Sequence, residues 1–424
     1  MRDGAELLLT GCTGFLGRVV LDELLRRRAE LGLARIYVLA RPAAGMTAVD
    51  RAAQLLAATG HGGNGASQVE VVEGDIRRPD CGVSTAAASR LRGRLTHVIH
   101  CAAATEFDLP LPAAAAINTR GTLNVASLAT TRRGRPSFVH VSTAYVTPHP
   151  GDRVAIDERL PDLPATAESL LGRIEKGGRT ARRVLSEAHH PNGYTLTKCL
   201  AEHLLVQRAD GLSLSIVRPS IVSASLQRPQ PGWNDGASAF SALVTLVATG
   251  RMRVVKARRA VRLDLVPADL VASAVVDEAF AARNGGAPRI RHAVAGLSLA
   301  CSIEATRRAI CELLAWQPEA DPPQLRHVGL TGPRFYLADL LHQRGPLSLA
   351  RAWHALRGRR VESGRAARLA ARLADINRTF AYFTGREFDF RATRPLLPPS
   401  FEPQEYLRHV CGGLLRRLAA GERD

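Results

Sequence analysis

Short runs of apolar residues alternate with longer amphipathic stretches through the first half of the chain. The first three runs cover 7–9, 36–40 and 69–73, and helical patterns over 18–31 and 47–58 separate them. Runs that are apolar at nearly every position are typical of strands buried on both faces, and their alternation with helices is typical of parallel sheets. The pattern therefore predicts an α/β fold with a doubly wound parallel sheet.

The alternation continues to about residue 295 and then stops. Residues 148–190 interrupt it with Pro, Gly and Arg, which predicts an insertion that lies over the sheet. Beyond residue 295 the chain is rich in Leu and Arg and its pattern is helical. We predict a nucleotide-binding domain over 1–295 and a second, mainly helical domain over 296–424.

Composition and charge narrow the class of protein. The chain has 424 residues, 46% of them apolar, and 57 basic against 39 acidic residues give a formal net charge of +18. Only three of the basic residues are lysines, and this skew favours solvated arginine faces over a dedicated nucleic-acid surface. A nucleic-acid or membrane-surface binder on an inactive scaffold remains the non-enzymatic alternative. That alternative predicts degraded catalytic positions.

The cysteines and the amino terminus indicate where the chain works. Seven scattered cysteines form no CxxC pair and have no histidine at metal-ligand spacing, which favours a reducing compartment and predicts no metal site. The first residues do not fit a secretory leader, and no apolar run reaches the roughly 18 residues of a membrane span. We expect a cytoplasmic protein, with peripheral membrane contact left open.

A glycine-rich turn follows the first apolar run. Residues 10–17 read TGCTGFLG, and a helical pattern begins directly after them. Glycines between a strand and a helix allow a tight turn and a close approach of the backbone to a pyrophosphate, which the helix amino terminus then faces. This pattern predicts a Rossmann-like dinucleotide site. Its predicted contacts are Thr10, Gly11, Thr13, Gly14, Phe15, Leu16 and Gly17.

Residues at the ends of later strands extend this site. The second strand ends in Ala40 and Arg41, where an NAD site needs an acid for the ribose hydroxyl, and an arginine instead suits the 2′-phosphate of NADPH. We therefore predict NADPH as the cofactor. Asp75 and Ile76 are predicted beside the adenine, and the small residues Cys101, Ala102 and Ala103 leave room for the cofactor.

The candidate catalytic residues follow the fifth strand. Ser142 and Thr143 end that strand, and Tyr194 and Lys198 stand four residues apart at the start of a helical pattern. That spacing places both side chains on one helical face, where an ammonium would lower the phenol's usual pKa of about 10 and also hold the nicotinamide ribose. The hydroxyl of Thr143 would hydrogen-bond the substrate carbonyl oxygen.

These motifs, in order, resemble those of the alcohol-forming fatty acyl-CoA reductases, within the extended short-chain dehydrogenases/reductases. The matching segments are TGCTGFLG, VIHCAAATEFD, INTRGT, FVHVSTAYV, GYTLTKCLAEHLL, IVRPSIV, PGWNDG, DLVPADLV, RTFAYFTGREFDF and FEPQEYLRHVCGGLLRRL.

The resemblance implies Thr143, Tyr194 and Lys198 as the catalytic hydroxyl, acid and cation, with Ser142 beside them. It implies that Asn118 supports the proton relay of the lysine. It also places Pro219, Ser220 and Ile221 along the nicotinamide. Departures from the family are Cys12 in place of a smaller residue, a short connection over 42–68 and no terminal membrane helix after residue 410.

We therefore expect NADPH-dependent reduction of long-chain acyl-CoA through an aldehyde to a fatty alcohol. A thioester reductase that stops at the aldehyde, and a carrier-protein substrate, remain alternatives. A nucleotide-sugar epimerase or dehydratase shares the Tyr and Lys but would not predict the helical domain or PGWNDG. For the acyl chain we predict a tunnel walled by 148–190, 231–250 and the helical domain. Its candidate lining residues are Phe335, Tyr336, Phe380 and Phe383.

Overall fold

A seven-stranded parallel sheet forms the centre of the molecule. The computed structural model describes residues 4–42, 45–58, 68–130, 134–152, 154–208, 210–234, 239–281, 286–315 and 327–419. The strands are β1 (Ala5–Thr10), β2 (Leu33–Ala40), β3 (Val69–Glu73), β4 (His97–His100), β5 (Ser137–Val141), β6 (Ala155–Ile156), β7 (Ser213–Pro219), β8 (Ile221–Ser223), β9 (Val254–Lys256), β10 (Arg262–Leu263), β11 (Leu265–Pro267), β12 (Arg289–Ala293), β13 (Cys301–Ser302), β14 (His327–Leu330) and β15 (Asp389–Phe390).

The helices cover both faces of this sheet and most of the carboxyl-terminal region. They are α1 (Phe15–Arg26), α2 (Ala48–Ala58), α3 (Thr85–Arg94), α4 (Leu111–Ala115), α5 (Gly121–Ala129), α6 (Ala167–Glu175), α7 (Gly178–Glu187), α8 (Gly193–Gln207), α9 (Ala239–Ala248), α10 (Ala268–Phe280), α11 (Ile303–Ala315), α12 (Gly332–Asp339), α13 (Gly345–Leu356), α14 (Arg360–Thr384) and α15 (Pro403–Ala419). One turn of π-helix joins α4 to α5, and a second joins α12 to α13.

The strand order confirms the predicted doubly wound fold. The sheet runs β12-β7-β5-β4-β1-β2-β3, and every neighbouring pair is parallel. The order reverses between β1 and β4, and in open parallel sheets the crevice at this reversal, at the carboxyl ends of the strands, is where ligands bind. The predicted site residues at the ends of β1 and β4 therefore meet at this crevice.

Side chains alternate between the two faces of the sheet, as the pleat requires. Leu7 and Leu9 of β1 pack in one apolar core with α1, α2 and α10, whereas Leu8 packs on the opposite side with α3 and α5. All three leucines are fully buried. Helices on both faces explain the nearly continuous apolar runs that predicted these strands.

The insertion at 148–190 supports the helix that carries Tyr194. Thr166 caps the start of α6 by accepting a hydrogen bond from the backbone N–H of Ser169. Apolar residues of α6 and α7, such as Leu170 and Val184, pack in one cluster with Leu196 and other residues of α8. The insertion thus fixes α8 from the side opposite the sheet.

The carboxyl-terminal helices share an apolar core with residues from earlier in the chain. Ile310 and Leu407 pack in one cluster with Phe240 and Val255. The contact is tightest at Gly413, where a Cβ would lie 2.2 Å from the backbone oxygen of Gly232, so only glycine fits. Because the cluster includes side chains from both sides of residue 295, the division into domains stays a prediction.

No helix within the described part of the chain is long and apolar enough to cross a membrane.

Candidate active site

The glycine turn has the shape that a pyrophosphate requires. Gly11 has a φ of +76°, and a Cβ on it would lie 2.5 Å from the backbone nitrogen of Ala102. A Cβ on Gly17 would lie 2.0 Å from the oxygen of Gly11, whereas one on Gly14 would make only an ordinary contact at 3.5 Å. Gly11 and Gly17 are therefore required by the fold, and Gly14 keeps the outer side of the turn open.

Helix α1 begins at this turn with its amino terminus uncapped. Gly14 is the N-cap residue and supplies no side-chain hydrogen bond, and the first turn contains no acidic residue. The predicted contacts Thr13, Phe15 and Leu16 lie at the same turn. Backbone N–H groups at such a helix end suit an anion, so these residues fit the pyrophosphate of a dinucleotide.

The end of β2 carries no acid, as the sequence predicts. Arg41 is exposed there, and its backbone oxygen accepts a hydrogen bond of 2.6 Å from the guanidinium of Arg51. Asp75 is already paired, because its carboxylate lies 2.5 Å from Nη2 of Arg77. Hydrogen bonds from Arg77 hold the pKa of Asp75 below its usual value, and the charge of Arg41 adds to this effect. Ile76 is fixed through its carbonyl, which accepts 2.7 Å from Nδ2 of Asn124.

The loop after β4 is tied to the end of β1. The hydroxyl of Thr10 lies 2.7 Å from Nδ1 of His100 and accepts a hydrogen bond of 3.3 Å from the backbone N–H of Ala102. Burial, assisted by the charge of Lys198, lowers the pKa of His100 to about 3, so its ring is neutral. Burial raises the pKa of the Cys101 thiol to about 12. The predicted cofactor contacts from Cys101 to Ala103 thus form a neutral wall.

Tyr194 and Thr143 meet as predicted, although the tyrosine titrates differently. Asn192 starts α8 by accepting a hydrogen bond of 2.9 Å from the backbone N–H of Thr195, which places Tyr194 in the first turn. Burial raises the pKa of Tyr194 to about 12, although the nearby Thr143 side chain acts in the opposite direction. The expected lowering by Lys198 is absent in this structure.

The ammonium of Lys198 has another partner, which explains this difference. Its Nζ donates a hydrogen bond of 2.7 Å to the backbone oxygen of Val141, at the end of β5. Lys198 is fully buried, and burial lowers its pKa to about 8, although the negative charge of Glu202 acts in the opposite direction. Lys198 thus joins the catalytic helix to the strand that ends in Ser142 and Thr143.

Asn118 lies on the π turn between α4 and α5, a type of helix irregularity that is frequent at functional sites. Its Nδ2 donates hydrogen bonds of 3.0 Å to the backbone oxygen of Ala104 and to the hydroxyl of Thr197, and its Oδ1 accepts 2.8 Å from the backbone N–H of Ala104. Asn118 therefore fixes the residue next to Lys198. Its part in a proton relay stays a prediction.

Ser142 has a buried hydroxyl with no hydrogen-bond partner among the described residues. Its backbone N–H donates 2.7 Å to the oxygen of Val217, which holds the start of the loop against β7. A buried, unpaired hydroxyl is unusual and suits a ligand or water at this point.

The segment after β7 is held in place by Asp264. The hydroxyl of Ser220 donates 2.5 Å to the carboxylate of Asp264, and the backbone N–H of Ile221 donates 3.0 Å to the oxygen of the same residue. Burial raises the pKa of Asp264. Pro219 ends β7 at the carboxyl edge of the sheet. Contacts of these residues with nicotinamide stay predictions.

An aromatic cluster lies directly beside Tyr194. The ring centroid of Phe107 is 5.9 Å from that of Tyr194, 5.6 Å from that of Phe380 and 5.7 Å from that of Phe383. Tyr145 continues the cluster, with its ring 5.0 Å from that of Phe383. The aromatic cluster as a whole comprises Phe107, Tyr145, Phe380, Tyr382, Phe383, Phe388 and Phe390.

Two of the four predicted lining residues, Phe380 and Phe383, therefore lie in the cluster beside Tyr194, and the other two lie elsewhere. Phe335 packs with Val254, and both its ring and that of Tyr336 lie 5.6 Å from the ammonium of Lys256. Phe335 thus belongs to a separate cluster beside β9, and Tyr336 is an exposed residue that contacts its ring.

Sequence reasoning missed the fully buried ion pair between Glu202 and Arg218. Its Nη2–Oε2 distance is 2.5 Å and both side chains have no exposed surface. Glu202 lies one turn after Lys198 on α8, and Arg218 directly precedes Pro219, so the pair fixes the catalytic helix to β7. The sequence signal for this pair was Glu202 itself, an acid that stands four residues after Lys198 just as Lys198 stands four residues after Tyr194.

These groups bring the side chains of Thr143 and Tyr194 together beside an aromatic cluster, in a fold that also carries a dinucleotide cradle. A carbonyl oxygen that binds between Thr143 and Tyr194 would meet two hydroxyl donors, as charge developing on an oxygen requires. Fold and site define an NAD(P)-binding domain of the extended short-chain reductase type.

Comparisons with known proteins identify the family. The family model described as Male sterility protein, an NAD-binding domain, matches residues 9–275, so the chain belongs to this family. Fatty acyl-CoA reductase 1 of Gallus gallus is 31% identical over 287 residues, which are 66% of this chain and 55% of that protein. The chain spans about half the length of the curated relatives it matches. The resemblance drawn from the motifs is confirmed.

Solved structures share the fold over almost the whole chain. The terminal R domain from the myxalamid PKS-NRPS biosynthetic pathway superposes with a TM-score of 0.68 at 23% identity, covering 98% of this chain and 92% of that one. The reductase domain of a nonribosomal peptide synthetase from Mycobacterium tuberculosis gives a TM-score of 0.61 at 19% identity, covering 97% and 92%. At this identity the likeness shows the fold alone.

Proposed function

We propose that this chain reduces long-chain acyl thioesters to fatty alcohols with NADPH. The observation that carries the proposal is the proximity of the Thr143 side chain to Tyr194, whose ring lies 5.9 Å from that of Phe107 in the aromatic cluster. Curated relatives of the chain are fatty acyl-CoA reductases, which supports an acyl-CoA substrate.

NADPH fits the residues at the switch point of the sheet. The pyrophosphate would lie against the turn from Gly11 to Gly17, where a Cβ at either glycine would collide with backbone. The exposed guanidinium of Arg41 would pair with the 2′-phosphate. When bound, the cofactor supplies the hydride for the carbonyl carbon.

The hydroxyls of Thr143 and Tyr194 bind the carbonyl oxygen of the thioester. With a pKa raised to about 12, the phenol of Tyr194 is protonated at neutral pH and is a hydrogen-bond donor and an acid rather than a base. Tyr194 stabilises the hemithioacetal oxygen formed in the first reduction. The carbon–sulfur bond then breaks, CoA leaves as the thiol and the aldehyde forms. In the second reduction Tyr194 donates its proton to the alkoxide. The Lys198 ammonium holds α8 at β5 throughout.

The aromatic cluster excludes water and contacts the acyl chain. Phe107 lies against Tyr194 on one side and against Phe380 and Phe383 of α14 on the other, so the apolar surface begins at the reacting group. Each methylene that leaves water contributes about 0.8 kcal/mol, which favours long chains over short ones.

A second candidate is a reductase that releases the aldehyde from a carrier-protein thioester. The fold likeness to the terminal R domain from the myxalamid pathway covers the helical region as well as the sheet, and this shared architecture supports the second candidate. A solved thiolation-reductase di-domain from an archaeal nonribosomal peptide synthetase also shares the fold.

The ratio of NADPH consumed to thiol released distinguishes the two candidates. The full chain is incubated with palmitoyl-CoA and NADPH, free thiol is titrated, and products are identified by mass spectrometry. We expect two NADPH per CoA and hexadecanol as the product. One NADPH per CoA with accumulated hexadecanal would favour the second candidate, and no thiol release from either a CoA or a carrier-protein thioester would exclude both.

A further inference from the structure

The helical segment from Gly332 to Leu356 presents large apolar side chains to solvent. It comprises α12, the π turn and α13 without a break, about 37 Å of helix at the usual rise per residue. Five leucines of this segment expose between 57% and 87% of their surface, and Trp353 exposes 53%. We name them the outer face: Leu337, Leu340, Leu341, Leu349, Trp353 and Leu356.

The spacing places the three outer-face residues of α13 in one stripe. Leu349, Trp353 and Leu356 follow one another at intervals of four and three residues, which keeps them on one side of α13. On the opposite side Leu347 packs against the core that the carboxyl-terminal helices share. Every residue of α13, a helix lying wholly within the described ranges, is at least partly exposed. Contiguous apolar surface of this extent usually marks a binding site.

The outer face is surrounded by positive charge. Residues 332–372 contain nine arginines, all of them exposed, and only two acidic residues. One of those acids, Asp339, is buried and paired with Arg344. At the end of α13 the guanidinium of Arg357 lies 3.8 Å above the ring of Trp353. The surface thus combines leucines, a tryptophan and a border of arginines.

This combination selects the kind of partner. A second copy of the chain docked through the same face would bring two arginine-rich borders together, and their repulsion opposes such a dimer. An anionic bilayer offers acyl chains to the leucines and phosphate groups to the arginines. Helices with an apolar stripe and a basic border lie in such interfaces, with tryptophan at the headgroup level.

We propose that the outer face docks the protein on the surface of an anionic phospholipid bilayer. The helix lies parallel to the membrane, with Leu349 and Leu356 among the acyl chains, Trp353 at the headgroup level and the flanking arginines at the phosphates. The contact is peripheral and reversible, and it does not require the reductase activity.

Sedimentation of the full chain with lipid vesicles tests the proposal. Vesicles of phosphatidylcholine with a quarter of phosphatidylglycerol are compared with vesicles of phosphatidylcholine alone, at low and high salt. The variants are the triple change Leu349→Ser, Trp353→Ser and Leu356→Ser, and the triple change Arg357→Gln, Arg359→Gln and Arg360→Gln. Val49→Ser, at another exposed apolar residue, is the matched control. Circular dichroism checks that each variant is folded.

We expect the wild type and Val49→Ser to bind the anionic vesicles, with binding that falls as salt rises and is weak on the neutral ones. Both triple variants should lose at least tenfold in apparent affinity while remaining folded. Absence of wild-type binding, or equal binding of the serine variant, would overturn the proposal. So would a concentration-dependent dimer that the serine variant abolishes without any vesicle binding, because that result assigns the face to a second copy.

Discussion

The cofactor cradle and the aromatic cluster beside Tyr194 are built in opposite ways. The cradle comes from eight consecutive residues, and its shape follows from backbone sterics at Gly11 and Gly17. The cluster draws on residues from the loops after β4 and β5, on α14 and on β15. We call the cradle the proposed cofactor half of the site and the aromatic cluster its proposed substrate half. The cofactor half is a local property of the sequence, whereas the substrate half forms only when the carboxyl-terminal region packs on the sheet.

The largest loss of turnover should come from a change at Tyr194. Tyr194→Phe removes the proton donor while keeping the ring that packs on Phe107. We expect turnover to fall about 10²- to 10⁴-fold, the usual contribution of a general acid, with NADPH affinity unchanged. Steady-state kinetics and cofactor fluorescence titration measure both, with Tyr336→Phe at an exposed tyrosine as the control. Activity near the wild-type level would remove Tyr194 from the mechanism.

Lys198→Met tests whether the cation serves both the helix position and the cofactor. We expect both turnover and NADPH affinity to fall, because the ammonium holds α8 against Val141 and would contact the ribose. A loss of turnover with unchanged cofactor binding would leave the ribose contact unsupported and confine Lys198 to the catalytic half.

The same variant predicts a pH dependence of stability. The folded pKa of Lys198 is lowered to about 8 from a usual value near 10.4, so between these values the unfolded state binds more protons. Stability of the wild type relative to Lys198→Met should therefore rise with pH across this window, by up to about 1.4 kcal/mol per pH unit, and be constant below it. Denaturant unfolding of both proteins from pH 7 to 10 measures the difference. A flat difference would contradict the buried charge.

A smaller effect tests the cofactor half alone. Arg41→Ala should weaken NADPH by about 1.5–3 kcal/mol, or about ten- to a hundredfold, and leave NADH nearly unchanged, because only NADPH carries the 2′-phosphate. Arg94→Ala is the matched control, since Arg94 pairs with Glu6 near the amino-terminal end of β1, away from the carboxyl ends of the strands. Equal losses for both cofactors would place Arg41 outside the phosphate site.

The smallest effect tests the substrate half alone. Phe107→Leu keeps an apolar side chain but removes the aromatic contacts with Phe380 and Phe383. Such contacts are worth about 0.5–1.5 kcal/mol beyond burial, so kcat/KM for palmitoyl-CoA should fall up to about tenfold. Octanoyl-CoA should be affected less. An equal fall for both chain lengths would mean that the aromatic cluster does not contact the distal acyl chain.

Most of the sheet and the cradle could be predicted from the sequence, because apolar runs and glycine spacing act locally. The doubly wound order, the turn at Gly11 and the meeting of Thr143 with Tyr194 follow from such patterns. The pKa of Tyr194 could not be predicted, since its rise comes from burial of the phenol in the folded chain.

The packing of residues that are far apart in the sequence could not be predicted either. The sequence grouped Phe335 with Phe383 because both are aromatic residues in a helical region, yet only Phe383 contacts the cluster beside the site. No local pattern states which helix end faces the sheet. Likewise the pair of Glu202 with Arg218 joins residues sixteen positions apart through tertiary contact alone.

Isotope transfer tests the central claim, reduction of one acyl carbon by two hydrides, most directly. The full chain is given palmitoyl-CoA and NADPH in which deuterium replaces both hydrogens on C4 of the nicotinamide. The product is analysed by mass spectrometry. The account predicts hexadecanol with two deuterium atoms at C1, and no labelled product from Tyr194→Phe in the same time. Hexadecanal with a single deuterium as the end product, or an absence of label in any reduced product, would contradict it.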